Sequence, residues 1–184
     1  MAKHRHVLDL LVELQALDKL PRVGYSLRGV AEPESVAEHV FHLTFLVWAL
    51  GREMPELDLS KALELALIHD LAEVRFGDLP RTAAHYLPAG AKAEAERAAL
   101  ADLLAPLPDA GHLLAEYQDQ DSREARFVSV CDKVQLRLKA WVYEQWGYSA
   151  LGELTGNGLD DLDDGGFEPV RRLVEELRHR RDAE

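Results

Sequence analysis

Apolar residues recur along this chain at helical rather than strand spacing, and proline, glycine and aspartate separate the runs. Across residues 7–17, Val7, Leu8, Leu11, Val12 and Leu14 carry Asp9 and Glu13 between them at the spacing of an amphipathic helix. That helix should stop before Pro21, because the residue preceding a proline is pushed out of helical angles. Residues 19–33 read as an irregular connection punctuated by Pro21, Gly24, Gly29 and Pro33. A connection this long inside a compact domain is uncommon and often functional. The next helix has a sharp start, since Ser35, Val36, Ala37 and Glu38 fit a capping box. Residues 39–50 are apolar on nearly every side, which predicts a buried helix.

Residues 62–73 form the apolar centre of the pattern. Leu63, Leu65, Ala66, Leu67 and Ile68 leave little polar face, so this segment is expected as one continuous helix enclosed by others. Asp58 or Ser60 would cap it, and Gly77 lies just past its end. Residues 91–104 predict an alanine-rich packing helix broken by Pro106 and Pro108, and residues 110–118 a shorter one. Asp121 or Ser122 should cap a long helix that runs to about Trp146. Residues 152–166, rich in Gly and Asp, are expected as a mobile surface loop. Residues 167–181 close the chain as an amphipathic helix with Val170, Leu173, Val174 and Leu177 inward. No repeat and no strand alternation interrupts this pattern. The expectation is an all-α bundle in a single domain spanning residues 1–184, with a core over about 7–146 and a C-terminal loop and helix over 147–184.

Several polar residues fall where that pattern predicts burial. His39 follows the capping box directly, His69 and Asp70 interrupt the apolar centre, and Asp132 sits mid-way along the long helix. A lone histidine on an apolar helix is usually a satisfied core residue, and His42 is a competing candidate one turn on. A buried aspartate needs a partner. Lys133 is adjacent to Asp132, but helix neighbours point to different faces. Together the four residues offer two imidazoles and two carboxylates, a mixed set suited to manganese, iron, cobalt, nickel or zinc rather than calcium. In an octahedral shell they would leave positions for water and substrate, as a catalytic metal requires. Glu73, four residues from His69, shares its face. Asp78 lies in the turn after the helix and could simply be a turn-former. The same residues would also suit an inert helical scaffold with internal hydrogen bonds. That alternative predicts stability indifferent to a chelator.

Composition narrows the partners. The chain of 184 residues is 47 % hydrophobic and 29 % charged, with a formal charge of −12. Such acidity disfavours a broad grip on nucleic-acid backbone. It leaves room for a small anion held by one or two local arginines, and the 19–33 connection carries Arg22 and Arg28. Arg28 reads best as a solvated loop cation. The single cysteine, Cys131, permits no internal disulfide and suits a reducing compartment. No run of about 18 apolar residues suggests a membrane span. The expectation is a cytoplasmic protein with no membrane or nucleic-acid polymer as partner.

The order His39, then His69-Asp70, then Asp132 on a helical background resembles the H…HD…D signature of the HD-domain metal-dependent phosphohydrolases. Leu20-Pro21-Arg22, residues 33–39, residues 68–73 and Gly77-Asp78-Leu79-Pro80 extend the likeness to the 5′-deoxynucleotidases of that family, the YfbR-like group. The resemblance runs in order from about Leu11 to Trp146. It implies an HD-domain helical bundle with a metal site in its core. His39, His69, Asp70 and Asp132 would bind a divalent ion, most often cobalt or manganese in this group. Glu73 would be the catalytic carboxylate that orients or deprotonates water, Asp78 a second acid near sugar and phosphate, and Arg22 the phosphate clamp. The implied reaction is hydrolysis of a deoxynucleoside 5′-monophosphate to nucleoside and phosphate. The alternative is an HD phosphohydrolase acting on nucleoside triphosphates or on cyclic or pyrophosphate nucleotides. Bacterial members carry tryptophan directly after the arginine, where this chain has Val23. Tyr25 sits where a eukaryotic branch has an aromatic, and so becomes a candidate substrate contact. A homodimer is implied by likeness alone.

Overall fold

The computed structural model describes residues 2–107 and 111–183, and the helices in chain order follow the apolar pattern closely. They are α1 (Ala2–Leu14), continued by a 3-10 turn (Gln15–Asp18), α2 (Val23–Ser26), α3 (Val36–Gly51), α4 (Leu59–Ile68), α5 (Glu73–Phe76) and α6 (Arg81–Ala84). Then come α7 (Ala91–Leu104), α8 (Gly111–Asp119), α9 (Arg123–Gln145), α10 (Gly152–Thr155), α11 (Asn157–Asp160) and α12 (Glu168–Asp182). Among the described residues the architecture is all-α, and the nearest thing to a strand is an isolated antiparallel bridge between Pro21 and Ser35. No helix among them is long and apolar enough to cross a membrane.

Three helices form the frame: α3, α4 and α9 pack against one another pairwise. Their shared interior is Val36, Leu43, Val47, Ala62, Leu65, Ala66, Phe127, Val128, Cys131 and Val134, all fully or almost fully buried. At roughly 1.5–3 kcal/mol for each large side chain removed from water, this cluster fixes where the polar groups on its faces must point. Each frame helix has the start its sequence announces. Ser35 Oγ accepts from the Glu38 amide while the Glu38 carboxylate accepts from the Ser35 amide, completing the capping box. Asp58 caps α4 through the Lys61 amide, and Ser122 caps α9 through the Ala125 amide. A smaller cluster of Tyr25, Val30, Ala140, Tyr143 and Leu151 anchors the connection before α3 to the far half of α9.

Three expectations need correction. The apolar centre is not one helix: α4 ends at Ile68, and residues 69–72 turn before α5 resumes. The amides of Leu71, Glu73, Val74 and Arg75 bond to the carbonyl three residues back, so the chain winds tighter here. The tightening carries His69 and Asp70 around toward α3 and α9 instead of along a straight rod. Gly77, at φ 84°, ends α5 in a conformation that favours glycine, and its amide closes on the Glu73 carbonyl at 2.7 Å. Second, α1 and the 3-10 turn that continues it present Leu10, Leu14 and Leu17 to the core, while Leu8, Leu11 and Val12 stay exposed. Its apolar residues cover more than one stripe, and packing chose the one spaced by four and three. Third, residues 152–166 are not a plain surface loop. They contain α10 and α11, with Thr155, Leu159 and Leu162 buried, because those side chains dock onto α9 and α12. The Asp163 and Asp164 carboxylates accept from the Gly165 and Gly166 amides and shape the turn into α12.

The caps provide a direct check. Asp58→Ala should lower stability by about 1 kcal/mol, whereas Ser60→Ala, one residue inside the same helix, should change it by less than about 0.5 kcal/mol. Chemical denaturation of both variants reads the difference. Equal losses would mean that the cap is assigned to the wrong residue.

Candidate metal centre

The frame helices each deliver one part of a single polar cluster. The capping box starts α3 one turn before His39, which is wholly buried; the tightened end of α4 aims His69 and Asp70; Asp132 projects from the middle of α9. His39 Nε2 lies 3.3 Å from His69 Nε2, 3.5 Å from Asp70 Oδ2 and 3.2 Å from Asp132 Oδ1. His69 Nε2 and Asp70 Oδ2 are 3.2 Å apart. His39, His69 and Asp70 alone already bring three donor atoms close enough to share one ion. Asp132 is less buried than its place in an apolar helix suggests. Its side chain keeps 30 % of its exposure, so it closes the cluster from the solvent side. His42 is not part of it and faces Glu34 instead.

The donor set fits a divalent cation. His69 Nδ1 lies 2.8 Å from the Ala66 carbonyl, which can only accept, so Nδ1 carries the proton and Nε2 a lone pair. His39 Nδ1 is likewise engaged, at 2.7 Å from Gln135 Oε1. Two lone pairs and two carboxylates thus face one another with neither ring proton between them. Metal–ligand bonds of about 2.0–2.2 Å place neighbouring donors roughly 3.0–3.5 Å apart, which is the spacing seen here.

Arg22 lies beside this cluster. Its Nη1 donates to Asp70 Oδ2 at 2.9 Å and lies 3.7 Å from Asp78 Oδ1 and 3.9 Å from Glu73 Oε2. Its main chain is pinned too, the amide bonding to the Glu34 carbonyl at 2.9 Å. Asp78 is more than a turn-former: Oδ2 accepts from the Val23 amide at 2.7 Å and so orients the first turn of α2 beside Arg22. Glu73 is buried, and its Oε2 has no hydrogen-bond partner, an expensive arrangement that a reacting group or water would relieve. Tyr25 lies behind the group, buried, its hydroxyl donating to the Leu136 carbonyl at 2.7 Å and its ring edge-on to Tyr143. Arg28 bonds to the Gly24 carbonyl and reaches Glu153, away from the cluster.

Electrostatics divide the carboxylates. Burial opposes ionisation of Asp70, but the adjoining His69 imidazole, then Arg22 and His39, hold it well below the usual carboxylate range. Asp132 also is held low: burial pushes it up, and the His39 imidazole, with His69, pulls it further down. Glu73 moves the other way. Burial, then the charges of Asp70 and Asp78, push it up to about 10. One set of acids is thereby kept ionised beside the imidazoles while a neighbouring acid retains a proton. Sequence reasoning passed over Glu34 and Gln135, which support His39 from behind. The available signal was position, since Gln135 is three residues from Asp132 on one helix face and Glu34 immediately precedes the cap of α3.

The chain matches the HD domain over residues 14–157. It is 34 % identical over 145 residues to the 5′-deoxynucleotidase HDDC2 of Bos taurus, a match covering 76 % of this chain and 69 % of that one. A shorter likeness, 42 % over 50 residues, covers 26 % of this chain and 29 % of the dATP triphosphohydrolase of Cyanophage S-2L. Among solved structures, a conserved hypothetical protein from Pyrococcus furiosus superposes with a TM-score of 0.82 and 36 % identity. That superposition covers 94 % of this chain and 99 % of the other.

The raised Glu73 carboxyl has a consequence for stability. Between about 4.5 and 10 the folded chelator-treated protein holds a proton that the unfolded chain releases, so its stability should fall as pH rises through that window. Glu73→Gln should flatten the fall in Tm measured from pH 5 to pH 9. His69, also raised, contributes a fall common to both proteins, and Asp70 and Asp132 finish titrating below the window. Parallel slopes for the two proteins would contradict the assignment.

Proposed function

The chain belongs to the HD-domain family of metal-dependent phosphohydrolases, and from that premise we propose that it hydrolyses deoxynucleoside 5′-monophosphates to nucleoside and inorganic phosphate. The observation that carries the reading is Arg22, held by Asp70 and flanked by Asp78 and Glu73, directly beside the His39, His69, Asp70 and Asp132 cluster. A divalent cation held by those four residues, cobalt or manganese before iron, nickel or zinc, would offset phosphate charge and acidify water. Arg22 supplies a planar guanidinium whose remaining N–H groups suit phosphate oxygens. Water would add to phosphorus as the bond to the 5′ oxygen breaks; a cation in the cluster would offset the Asp70 charge that raises Glu73 and leave Glu73 a carboxylate, able to take the water proton and return it to the departing 5′ oxygen. Asp78 holds the Arg22 turn with one oxygen, and the other, 3.7 Å from Arg22 Nη1, would be the one to meet the sugar or phosphate. Tyr25 supports that turn from behind.

The likeness to the HDDC2 5′-deoxynucleotidase supports this substrate class, and the short match to a dATP triphosphohydrolase supports a second reading in which a triphosphate is cleaved. The same proposal takes the chain as a single-domain cytoplasmic enzyme without nucleic-acid or membrane partners. It also takes the enzyme as a homodimer, supported by the exposed stripe of Phe41, Phe45 and Trp48 along α3.

Protein stripped by chelator and reloaded with cobalt or manganese should release phosphate from dAMP, dGMP, TMP or dCMP. Glu73→Ala should retain metal and lose turnover by at least about 100-fold, whereas Asp70→Ala should lose both. Release of triphosphate from dATP in place of phosphate from dAMP would favour the second reading. Folded protein inactive with every metal and nucleotide would end the proposal.

A further inference from the structure

We propose that Glu34 and Gln135 act as a proton-ordering relay that holds His39 in the one tautomer able to bind a cation, which makes both of them positioning residues of the metal centre. The inference rests on the reading of the cluster as a metal site, but not on its substrate.

Gln135 is buried on α9, and its amide bridges two groups of opposite demand. Its Nε2 lies 3.1 and 3.3 Å from the two carboxylate oxygens of Glu34, and its Oε1 lies 2.7 Å from His39 Nδ1. An ionised carboxylate only accepts, so it selects the NH2 end of the amide. The oxygen end is then forced toward His39, and an amide oxygen also only accepts. His39 Nδ1 must therefore carry the ring proton, and Nε2 turns its lone pair toward His69 and Asp132. A flipped Gln135 would set its oxygen against the Glu34 carboxylate and its NH2 against Nδ1. The imidazole would answer with the other tautomer, whose Nε2–H points into the cluster and blocks coordination.

The two histidines differ in this respect. His69 receives its order from the Ala66 main-chain carbonyl, which cannot rotate. His39 depends on a side chain that can, and the protein invests Glu34 in preventing it. The Glu34 side chain is almost fully enclosed, and its charge is compensated by Lys139 Nζ at 3.7 Å and met by His42 Nδ1 at 3.4 Å. Lys139 in turn lies over the rings of Tyr143 and Trp146. The Glu34 amide donates to the Tyr143 hydroxyl at 2.6 Å, and its carbonyl accepts from the Arg22 amide. One residue thus ties the order of an imidazole to the main-chain position of the arginine. Outer-shell partners of metal-binding histidines commonly set tautomer and ring orientation, and their loss weakens metal affinity 10- to 100-fold.

The test uses chelator-treated full-length protein and two readouts, Mn2+ affinity by calorimetry and the His39 tautomer from imidazole 15N shifts. Gln135→Met, close in shape but without the acceptor, should bind Mn2+ about 10- to 100-fold more weakly and show His39 with Nε2 protonated in part or wholly. Affinity within twofold of the parent with an unchanged tautomer would overturn the proposal. Should that variant fail to fold, the isosteric Glu34→Gln carries the test. It makes both amide orientations acceptable, so two tautomers should coexist and affinity should fall; no change in either would overturn the relay. Adding Gln135→Glu to Glu34→Gln reverses the relay and should restore both readouts, which a packing role would not produce. Failure of every nucleotide assay with these responses intact would sink the substrate reading and leave the relay standing.

Discussion

The Nε2 atoms of His39 and His69 stand 3.3 Å apart, each ring having committed its other nitrogen to an acceptor, and oxygens of Asp70 and Asp132 complete the group. Four electron-pair donors brought this close repel one another unless positive charge sits among them. Each donor sits on, or directly after, a helix whose apolar face is locked into the α3, α4 and α9 core, so the repulsion cannot be relieved by drifting apart. The hydrophobic frame and the polar centre are therefore one problem. Burial holds the helices at fixed spacing, and that spacing defines a site that a cation satisfies better than a proton.

The surrounding charges follow from this arrangement. Arg22 is the cation of the immediate group, and Asp70, Asp78 and Glu73 all lie within 4 Å of it. A chain of formal charge −12 with this many acids would repel a phosphate. A divalent ion reverses the local field, so metal and anionic substrate reinforce each other's binding in the proposed enzyme. Glu73 occupies the remaining niche, enclosed, raised toward a neutral carboxyl and with one oxygen unengaged. Such an oxygen can exchange a proton with a bound molecule without large rearrangement.

Much of this was legible in the residues. The capping box at Ser35 and Glu38 marks its helix without ambiguity, because both reciprocal bonds need only local sequence. His69, Asp70 and Asp132 stand out since a charged group inside an apolar period demands an explanation. Less legible was whatever depends on which of two equivalent faces packs. The apolar residues of α1 overfill one stripe, so periodicity alone could not select Leu10, Leu14 and Leu17. The tightened turn after Ile68 holds no glycine or proline, so no strong breaker announces where the helix ends. In residues 152–166 the glycines and aspartates outweighed Leu159 and Leu162, although these two carry the packing. Glu34 and Gln135 are 101 residues apart in the chain, and nothing local announces their bond.

The central claim is that one divalent ion belongs at the meeting point of α3, α4 and α9. Titration of Co2+ into chelator-treated protein, followed by visible absorption, addresses it most directly. The account predicts saturation at one ion per chain, with bands of a mixed nitrogen and oxygen environment that vanish in His39→Ala and Asp132→Ala. Spectra that never saturate, or that persist unchanged when both residues are replaced, would contradict it.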